Sequence, residues 1–375
     1  MKLLDFINSN ENWKEKLSQK PYYLKITEKF PYYTLKYDML ESDFNYEEVW
    51  DARGVVIRHD GTKYIPISFG LRKFFNATEK WASPIDWSTA RVQAKIDGSN
   101  IRFAFDPIAQ CWLCSTMNNP DSKDAPITGN FTFFDAVVEV LGGIDQYNKF
   151  ITLLDKNYTY IFELVSRYNI ICCHYAEQKL YYISRRNMET EYEDLKHVNF
   201  PGFENVIAYP QTYSLSTYED CTRAAEQLEE NNEGFVVVDA ARNRVKIKTP
   251  WYMAMHKLRG NGPITATHII SLYQQDILDD FIAAFPEHQD YVDEIIHKLI
   301  DLIEKADIAY DVIKGIGPRK DFAFRAQSYI KPIQSYLFAR LDNKVDCANT
   351  YFKNMKPRNL AELIKIGGNI SDRAK

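Results

Sequence analysis

The feature that most limits the fold of this chain is a change of periodicity near residue 260. Before it, short runs of alternating apolar and polar residues predict half-buried strands. Gly260, Gly262 and Pro263 then favour a boundary. Beyond them the pattern is helical, over 265–284 and from 286 to about 314. The sequence therefore predicts an α+β fold, in which antiparallel sheets flanked by helices precede an all-helical domain.

The charge of the chain is small overall and unevenly distributed. Hydrophobic residues make up 45% of the 375 residues and charged residues 26%, which allows a substantial core. The net charge is −5, yet residues 313–375 contain 13 Lys and Arg against 5 Asp and Glu, a local net of +8. A basic end on an acidic body indicates a local phosphate contact or, equally well, a solvated helical face.

Cysteines and apolar runs exclude several classes of protein. Six cysteines in a chain of this length do not suggest a disulfide framework. Cys111 and Cys114 form a C-x-x-C, but on a strand the first and fourth positions face opposite ways, which disfavours zinc. Asp5 interrupts the first apolar run, and no run of about 18 apolar residues follows. We therefore expect a soluble, monomeric cytoplasmic protein without a membrane contact (in the host cytoplasm if the source is viral).

A lysine beside a tight turn is the first candidate for chemistry. Asp97-Gly98 is a strong turn signal, and Lys95 precedes it at the end of a predicted strand, on the side away from the apolar face. A lysine held by a rigid turn acts as a nucleophile if its pKa is lowered. The alternative is a solvated lysine at the end of a hairpin.

Charged residues also interrupt other predicted strands. Glu163 lies in an almost continuous apolar strand, where a charge is costly without a partner such as Arg167 or a function. Glu233 leads a second apolar strand. Lys246 and Lys248 share one face of a third, which is either a solvated edge strand or a phosphate clamp. Two cations, Arg53 before a strand and Lys73 beside two aromatic residues, extend this set.

These motifs resemble, in order and spacing, those of the covalent nucleotidyltransferases, which comprise ATP-dependent DNA and RNA ligases and mRNA capping enzymes. The closer resemblance is to the T-even phage type of single-stranded RNA ligase, the RNA ligase 1 family. It covers roughly residues 50–365. The residues that carry it are Lys95-Ile96-Asp97-Gly98, Phe162-Glu163, Glu233-Gly234-Phe235-Val236 and Lys246-Ile247-Lys248, with Arg53-Gly54, Lys73-Phe74-Phe75-Asn76, Trp251-Tyr252 and His256.

The resemblance implies a lysine-adenylate mechanism with ATP as substrate and magnesium as cofactor. Lys95 would attack the α-phosphorus of ATP, AMP would pass to an RNA 5′-phosphate, and a 3′-hydroxyl would expel AMP. Glu233, and in a lesser role Asp97, would hold the metal, while a metal with Lys246 and Lys248 nearby would disfavour the charged form of Lys95. The residues expected at ATP are Arg53, Lys73, Asp97, Gly98, Glu163, Lys246 and Lys248, and Lys246 and Lys248 are also expected to assist catalysis.

The resemblance also implies partners and a division of labour. Residues 1–258 would form the adenylyltransferase domain, and residues 259–375 a helical RNA-binding or specificity domain. The partners would be single-stranded RNA or broken RNA loops in RNA or tRNA repair, and a separate end-healing kinase/phosphatase. The expected RNA contacts are Lys314, Arg319, Lys320, Arg325 and Lys331.

The chain departs from the family pattern at one place, and two other functions compete. Where the phage family has a lysine-bearing stretch, this chain has Leu113-Cys114-Ser115-Thr116-Met117-Asn118, which lacks a cation. A capping-type guanylyltransferase or a DNA ligase would usually append a small β-barrel rather than helices. A catalytically inactive RNA-end-binding protein on a ligase fold would bind ATP without forming a covalent adduct.

Overall fold

The computed structural model describes residues 1–260 and 263–365. Contacts divide the chain into two compact units, Met1–Ala254 and a second that begins at Met255. The first unit contains all the described strands. The domain boundary expected between residues 258 and 259 stays a prediction, and Gly262, which contributed to it, lies outside the described residues.

The strands of the first unit follow the alternating runs of the sequence. In chain order they are β1 (Lys25–Lys29), β2 (Tyr32–Lys36), β3 (Arg53–His59), β4 (Tyr64–Ser68), β5 (Phe75–Asn76), β6 (Arg91–Ala94), β7 (Ser99–Asp106), β8 (Cys111–Thr116), β9 (Pro126–Thr128), β10 (Phe131–Thr132), β11 (Tyr158–Val165), β12 (Lys179–Asn187), β13 (Glu193–Asp194), β14 (Ile207–Ala208), β15 (Thr212–Tyr213), β16 (Gly234–Val238) and β17 (Arg244–Lys248).

These strands build three larger, mainly antiparallel sheets and one small hairpin. The first sheet has the order β1-β2-β3-β4. The second has the order β13-β12-β11-β7-β8, with β14 parallel to β12. The third has the order β15-β6-β16-β17-β5, in which β5 runs parallel to β17. The α+β class with antiparallel sheets is thus confirmed, and the two later sheets carry most of the candidate site.

The helices flank these sheets and form the described part of the second unit. In chain order they are α1 (Lys2–Asn8), α2 (Trp13–Ser18), α3 (Glu47–Asp51), α4 (Phe133–Leu141), α5 (Ile144–Thr152), α6 (Tyr218–Gln227), α7 (Pro250–Arg259), α8 (Ala266–Gln274), α9 (Leu278–Ala284), α10 (Gln289–Ile313), α11 (Arg319–Ala326), α12 (Lys331–Leu341), α13 (Ala348–Lys353) and α14 (Pro357–Lys365), with short 3₁₀ turns at Ser122–Asp124 and Pro286–His288.

One predicted helix is broken in two. Residues 130–155 have helical apolar spacing, but α4 ends at Leu141 and α5 starts at Ile144. Gly142 and Gly143 between them have φ of 91° and 109°, a region that favours glycine. The break lets both helices pack on the aromatic core of the second sheet, around the buried Phe150.

The second unit is held by a long amphipathic helix. Buried residues of α10 recur at helical spacing from Val292 through Leu299 to Ile313. They contact α8, α12 and α13. No described helix has both the length and the apolar character that crossing a membrane requires.

Candidate active site

The Lys95 turn joins two different sheets. The amide of Lys95 donates to the carbonyl of Gly234 at 2.7 Å, which continues the pairing of β6 with β16. The chain then enters β7, which belongs to the second sheet. A Cβ at Gly98 would lie 2.4 Å from the carbonyl oxygen of Leu164, so this crossing requires glycine. The chain bends at Gly98, but the strands on either side do not form a hairpin.

The hydrogen bonds of Asp97 hold the chain in place between Lys95 and Gly98. Its carboxylate is 5% exposed, and Oδ2 accepts the amides of Cys172 and Cys173 at 2.7 and 2.8 Å. Oδ1 accepts the hydroxyl of Tyr252 at 2.8 Å, and the Asp97 amide donates to the Tyr175 hydroxyl at 2.9 Å. Protein donors therefore occupy both carboxylate oxygens, an arrangement suited to orienting the turn rather than binding a metal.

Lys95 shares a buried carboxylate with Lys248. The Nζ of Lys95 lies 2.7 Å from Oε2 of Glu233, and the Nζ of Lys248 lies 3.4 Å from Oε1. Glu233 is 3% exposed. Burial lowers the pKa of Lys95, but the carboxylates of Glu233 and Glu163 outweigh it and raise the pKa above its ordinary value. The neighbouring lysines therefore do not by themselves favour the neutral amine.

The site lysines lie on one face of the third sheet. Directly opposed residues of antiparallel strands point to the same face, and the backbone register places the residues of β6, β16 and β17 in three cross-strand rows. The other face packs into an apolar core around Phe235 and Val245. The three rows are Lys95-Gly234-Lys248, Gln93-Val236-Lys246 and Arg91-Val238-Arg244.

Lys246 in the middle row takes part in none of the ion pairs that the structure shows within residues 1–260 and 263–365. Burial lowers its pKa to about 7, and the nearby cations Lys73, Lys95, Arg53 and Lys248 add to the effect. Its Nζ lies 5.5 Å from the centroid of the Phe74 ring, which the Arg53 guanidinium also faces at 4.8 Å. The structure thus brings these predicted cations together.

Glu163 faces the same region without an ion-pair partner among the described residues. Arg167, the alternative partner considered from the sequence, is 2.6 Å from Glu139 instead. Burial raises the pKa of Glu163 to about 7, although Lys95 and Arg53 oppose the shift. Its carboxylate borders a cavity of about 330 Å³, together with Arg53, Gly98, Asn100 and residues 116–119.

The stretch without the expected lysine forms one wall of that cavity. Residues 116–119 themselves carry no cation there. A cation from another strand reaches this wall, because the Nζ of Lys36 in β2 donates to Oδ1 of Asn118 at 2.8 Å. Sequence reasoning missed Lys36, since β2 pairs with β3 and is distant in sequence from residue 118.

A buried arginine supports the same wall. Arg102 is 0% exposed and donates to the carbonyls of Thr116 and Arg53, the latter at 3.3 Å. A Cβ on Gly54 would lie 2.6 Å from the Nη1 of Arg102, so the arginine packs closely against this glycine. Arg102 alternates with the apolar residues Ile101 and Phe103, a pattern that does not indicate burial of its side chain.

Lys73 is a buried cation held by aromatic rings. It is 5% exposed, and its Nζ lies 4.9 Å from the Tyr37 ring centroid and 4.7 Å from that of Phe75. Its nearest hydrogen-bond partner is the sulfur of Met39 at 3.4 Å. Cation–π contacts of this kind stabilise a lysine that lacks a carboxylate.

Metal-ligating side chains are few in the described part of the chain. No three His, Cys, Asp or Glu residues come together there as a metal site. Cys111 is exposed and Cys114 buried on β8, in line with their opposite faces on a strand. Glu233 and Glu163 are the two carboxylates whose charges raise the pKa of Lys95 most strongly.

The five basic residues expected to contact RNA belong to the second unit and are exposed. Two of them are neutralised locally: Arg319 pairs with Asp342 at 2.5 Å and Lys314 with Asp311 at 2.8 Å. Lys320, Arg325 and Lys331 do not take part in the described ion pairs.

The chain is similar in sequence to a known protein family. A family model described as RNA ligase, of the T4 RNA ligase 1 type, matches residues 51–252, more than half of the chain. A candidate bifunctional polynucleotide kinase/RNA ligase of Autographa californica nuclear polyhedrosis virus is 29% identical over 271 residues, which cover 67% of this chain and 37% of that protein. The chain thus matches little more than a third of that relative.

Two further similarities are more distant. An RNA ligase of Rhodothermus phage RM378 is 23% identical over 361 residues, covering 78% of this chain and 81% of that one. A solved archaeal ATP-dependent RNA ligase aligns with a TM-score of 0.41 and 11% identity, over 95% of this chain and 76% of that chain. On the family match, the chain belongs to the RNA ligase family of the T4 RNA ligase 1 type.

Proposed function

We propose that the chain is an ATP-dependent RNA ligase that joins RNA 5′-phosphate and 3′-hydroxyl ends through a lysyl-AMP intermediate. The observation that carries the proposal is the first row of the third sheet. There Lys95, on a glycine-requiring turn, lies 2.7 Å from the buried Glu233, which Lys248 also approaches. A positioned amine beside a carboxylate and further cations is suited to attack on a phosphoryl group.

In the first step the amine of Lys95 attacks the α-phosphorus of ATP. An N–P bond forms, the bond from the α-phosphorus to the bridging oxygen breaks, and pyrophosphate leaves. The ammonium must first lose a proton, and Glu233 at 2.7 Å is the nearest acceptor. Lys246 and Lys248 project from the same sheet face and would stabilise the charge on the phosphoryl oxygens.

The remaining steps use RNA ends. The 5′-phosphate of one end attacks the lysyl-linked phosphorus, so that AMP passes to RNA and the Lys95 amine is released. The 3′-hydroxyl of the other end then attacks the adenylylated phosphate, forms the phosphodiester bond and expels AMP. Arg53 and Lys73, together with Lys246, are the cations we assign to phosphates of ATP or RNA.

A divalent metal fits this site only together with the nucleotide. Magnesium in such sites is usually held by one or two carboxylates plus substrate phosphates, and Glu163 and Glu233 supply two carboxylates near Lys95. When bound, Mg²⁺ would neutralise phosphate charge. Asp97 is already engaged by protein donors, and we assign it to the turn.

We assign RNA binding to the helical second unit, through Lys314, Arg319, Lys320, Arg325 and Lys331. The basic charge of residues 313–375 supports this assignment. The baculovirus relative is described as a bifunctional polynucleotide kinase/RNA ligase. This description supports the kinase part of our proposal that an end-healing kinase/phosphatase is a partner of the ligase in RNA repair.

The deciding experiment is incubation with a divalent metal and ATP labelled at the α-phosphate, followed by denaturing electrophoresis. We expect label on the wild type and none on Lys95→Ala. Lys149→Ala, which removes an exposed lysine of α5, is the matched control and should label normally.

Three other outcomes separate the alternatives. No label on any variant, with ATP still bound, would favour the inactive RNA-end-binding protein. Label from GTP in preference to ATP would favour capping chemistry. Label followed by joining of nicked DNA rather than RNA ends would favour a DNA ligase.

A further inference from the structure

The cationic face of the third sheet continues beyond the proposed ATP site. Its last row carries Arg91 and Arg244, two strand residues beyond Lys246. Lys248 and Arg244 are four positions apart on β17, which corresponds to about 13 Å along a strand. The row of cations is therefore longer than a reacting phosphate needs.

A cavity of about 290 Å³ opens at that end of the sheet. Lys73, Arg242 and Arg244 line it together with the aromatic residues Trp50 and Phe74. Two carboxylates also line it and are neutralised locally, because the oxygens of Glu193 lie 2.8 and 3.1 Å from the guanidinium of Arg244 and Glu191 lies 2.7 Å from the ammonium of Met1. The cavity keeps an excess of positive charge.

A second cavity, of about 580 Å³, adjoins the first. Tyr192 and Arg242 line both cavities and so separate them. Arg91 and Lys196 line the outer one. Asp194 also lines it, but its carboxylate lies 2.9 Å from the guanidinium of Arg185. The outer cavity therefore continues the same cationic path.

Two buried cations along this path, Lys73 and Arg186, take part in none of the ion pairs among the described residues, although buried charges normally require a partner. The same holds for the half-buried Arg242. The Nε of Arg91 is buried without a hydrogen-bond partner. Burial lowers the pKa of Arg91, and the neighbouring Arg244 and Arg242 add to this.

The wall between the cavities offers an aromatic surface. The ring of Tyr192 is 56% exposed although its hydroxyl accepts a hydrogen bond from Arg242. The Arg242 guanidinium lies 4.9 Å from the ring centroid and also donates to the carbonyls of Glu193 and Ala240, both at 2.7 Å. A fixed guanidinium beside an exposed ring can contact a phosphate and a base of one nucleotide.

We propose that these two cavities bind consecutive nucleotides of a single-stranded RNA end that leads to Lys95. Alternating cations and an exposed ring fit a single strand, whose bases are free to stack, better than a duplex. This inference rests on the proposed function, and it places an RNA contact in the first unit, in addition to the helical one.

The test measures RNA binding and lysyl-AMP formation separately in the full chain. The probe is a fluorescent 5′-phosphorylated single-stranded RNA, titrated at several salt concentrations. The variants are Lys196→Gln, Arg242→Asn, which suits the φ of 70° at that residue, and Tyr192→Ala. Arg223→Asn, 69% exposed on α6, is the matched control.

Each lost phosphate contact should reduce the slope of log affinity against log salt by about 0.7. We therefore expect that reduction for Lys196→Gln and Arg242→Asn but not for Arg223→Asn. Tyr192→Ala should weaken binding at least about fivefold with a smaller change of slope.

Unchanged affinity and slope in all three variants would overturn the inference. So would stronger binding of duplex than of single-stranded RNA. A loss of ATP binding with RNA binding intact would instead assign the inner cavity to the triphosphate and also overturn it. Failure of the wild type to form lysyl-AMP would refute the proposed function only, because the salt slopes test the RNA path independently.

Discussion

Lys246 gives the sharpest test of the electrostatics of this site. Burial and four neighbouring cations lower its pKa from 10.5 to about 7. At about 1.4 kcal/mol per pKa unit, the folded protein is destabilised by up to about 5 kcal/mol when this side chain is charged. Lys246→Met keeps the length of the stem and removes the charge. We expect it to raise the free energy of unfolding by about 2 to 5 kcal/mol at pH 6.5.

The sign of the pH dependence follows from linkage. Above about pH 7 the folded state releases the Lys246 proton while the unfolded state keeps it up to about pH 10.5. The unfolded state then binds more protons, so the wild type gains stability as pH rises. The advantage of Lys246→Met should therefore shrink between pH 7 and pH 9, by up to about 1.4 kcal/mol per pH unit.

Tryptophan fluorescence during urea unfolding reports the relevant unit alone. All six tryptophans lie in the first unit, at positions 13, 50, 81, 87, 112 and 251. Lys248→Met is the matched control with the opposite sign, because Lys248 partly neutralises the buried Glu233 and its removal should destabilise. A Lys246→Met protein less stable than the wild type at pH 6.5, or an advantage independent of pH, would refute the reasoning.

Four further outcomes can be measured directly. At pH 8, ATP binding to Lys95→Ala should be accompanied by proton uptake as phosphates restore the charge of Lys246, and calorimetric enthalpies in two buffers would show it. Glu233→Gln should slow lysyl-AMP formation roughly 100-fold in a single-turnover assay, because the proton acceptor is lost. Asp97→Ala removes a buried carboxylate that accepts three hydrogen bonds and should lower the free energy of unfolding by more than about 3 kcal/mol, measured by tryptophan fluorescence. Arg102→Met frees two carbonyls and should weaken ATP binding in calorimetry while lysyl-AMP formation recovers at high ATP, since Arg102 supports the wall without touching the reacting atoms.

Local patterns in the sequence were sufficient for the strands that carry the lysines. The alternation of residues 244–248 predicted that Lys246 and Lys248 share a face, and β17 has that arrangement. The carboxylates of Glu163 and Glu233 were visible as charges in apolar strands. Such patterns depend on a period of two residues, which the sequence displays directly.

Contacts between distant strands were not accessible in the same way. The Lys95 turn was interpreted as a tight turn after a strand, but its two flanking strands pair with partners far away in sequence and lie in different sheets. Lys36 reaches Asn118 across 82 positions. Arg102 is buried only because two carbonyls from other strands receive its donors. The break after Leu141 was different, since the two glycines that cause it are plain in the sequence.

The three rows of the third sheet differ in charge balance, and this difference is informative about ligands. The first row holds the proposed nucleophile and is balanced, because Glu233 serves both Lys95 and Lys248. The second row has an uncompensated Lys246, and in the third row Arg91 keeps a buried Nε without a partner. Buried cations without a partner destabilise the ligand-free fold. A polyanion that binds there neutralises their charge and stabilises the folded state by mass action. The uncompensated cations therefore begin in the row that follows the proposed nucleophile. This order is expected if ATP lies nearest Lys95 and an RNA strand continues along the same face.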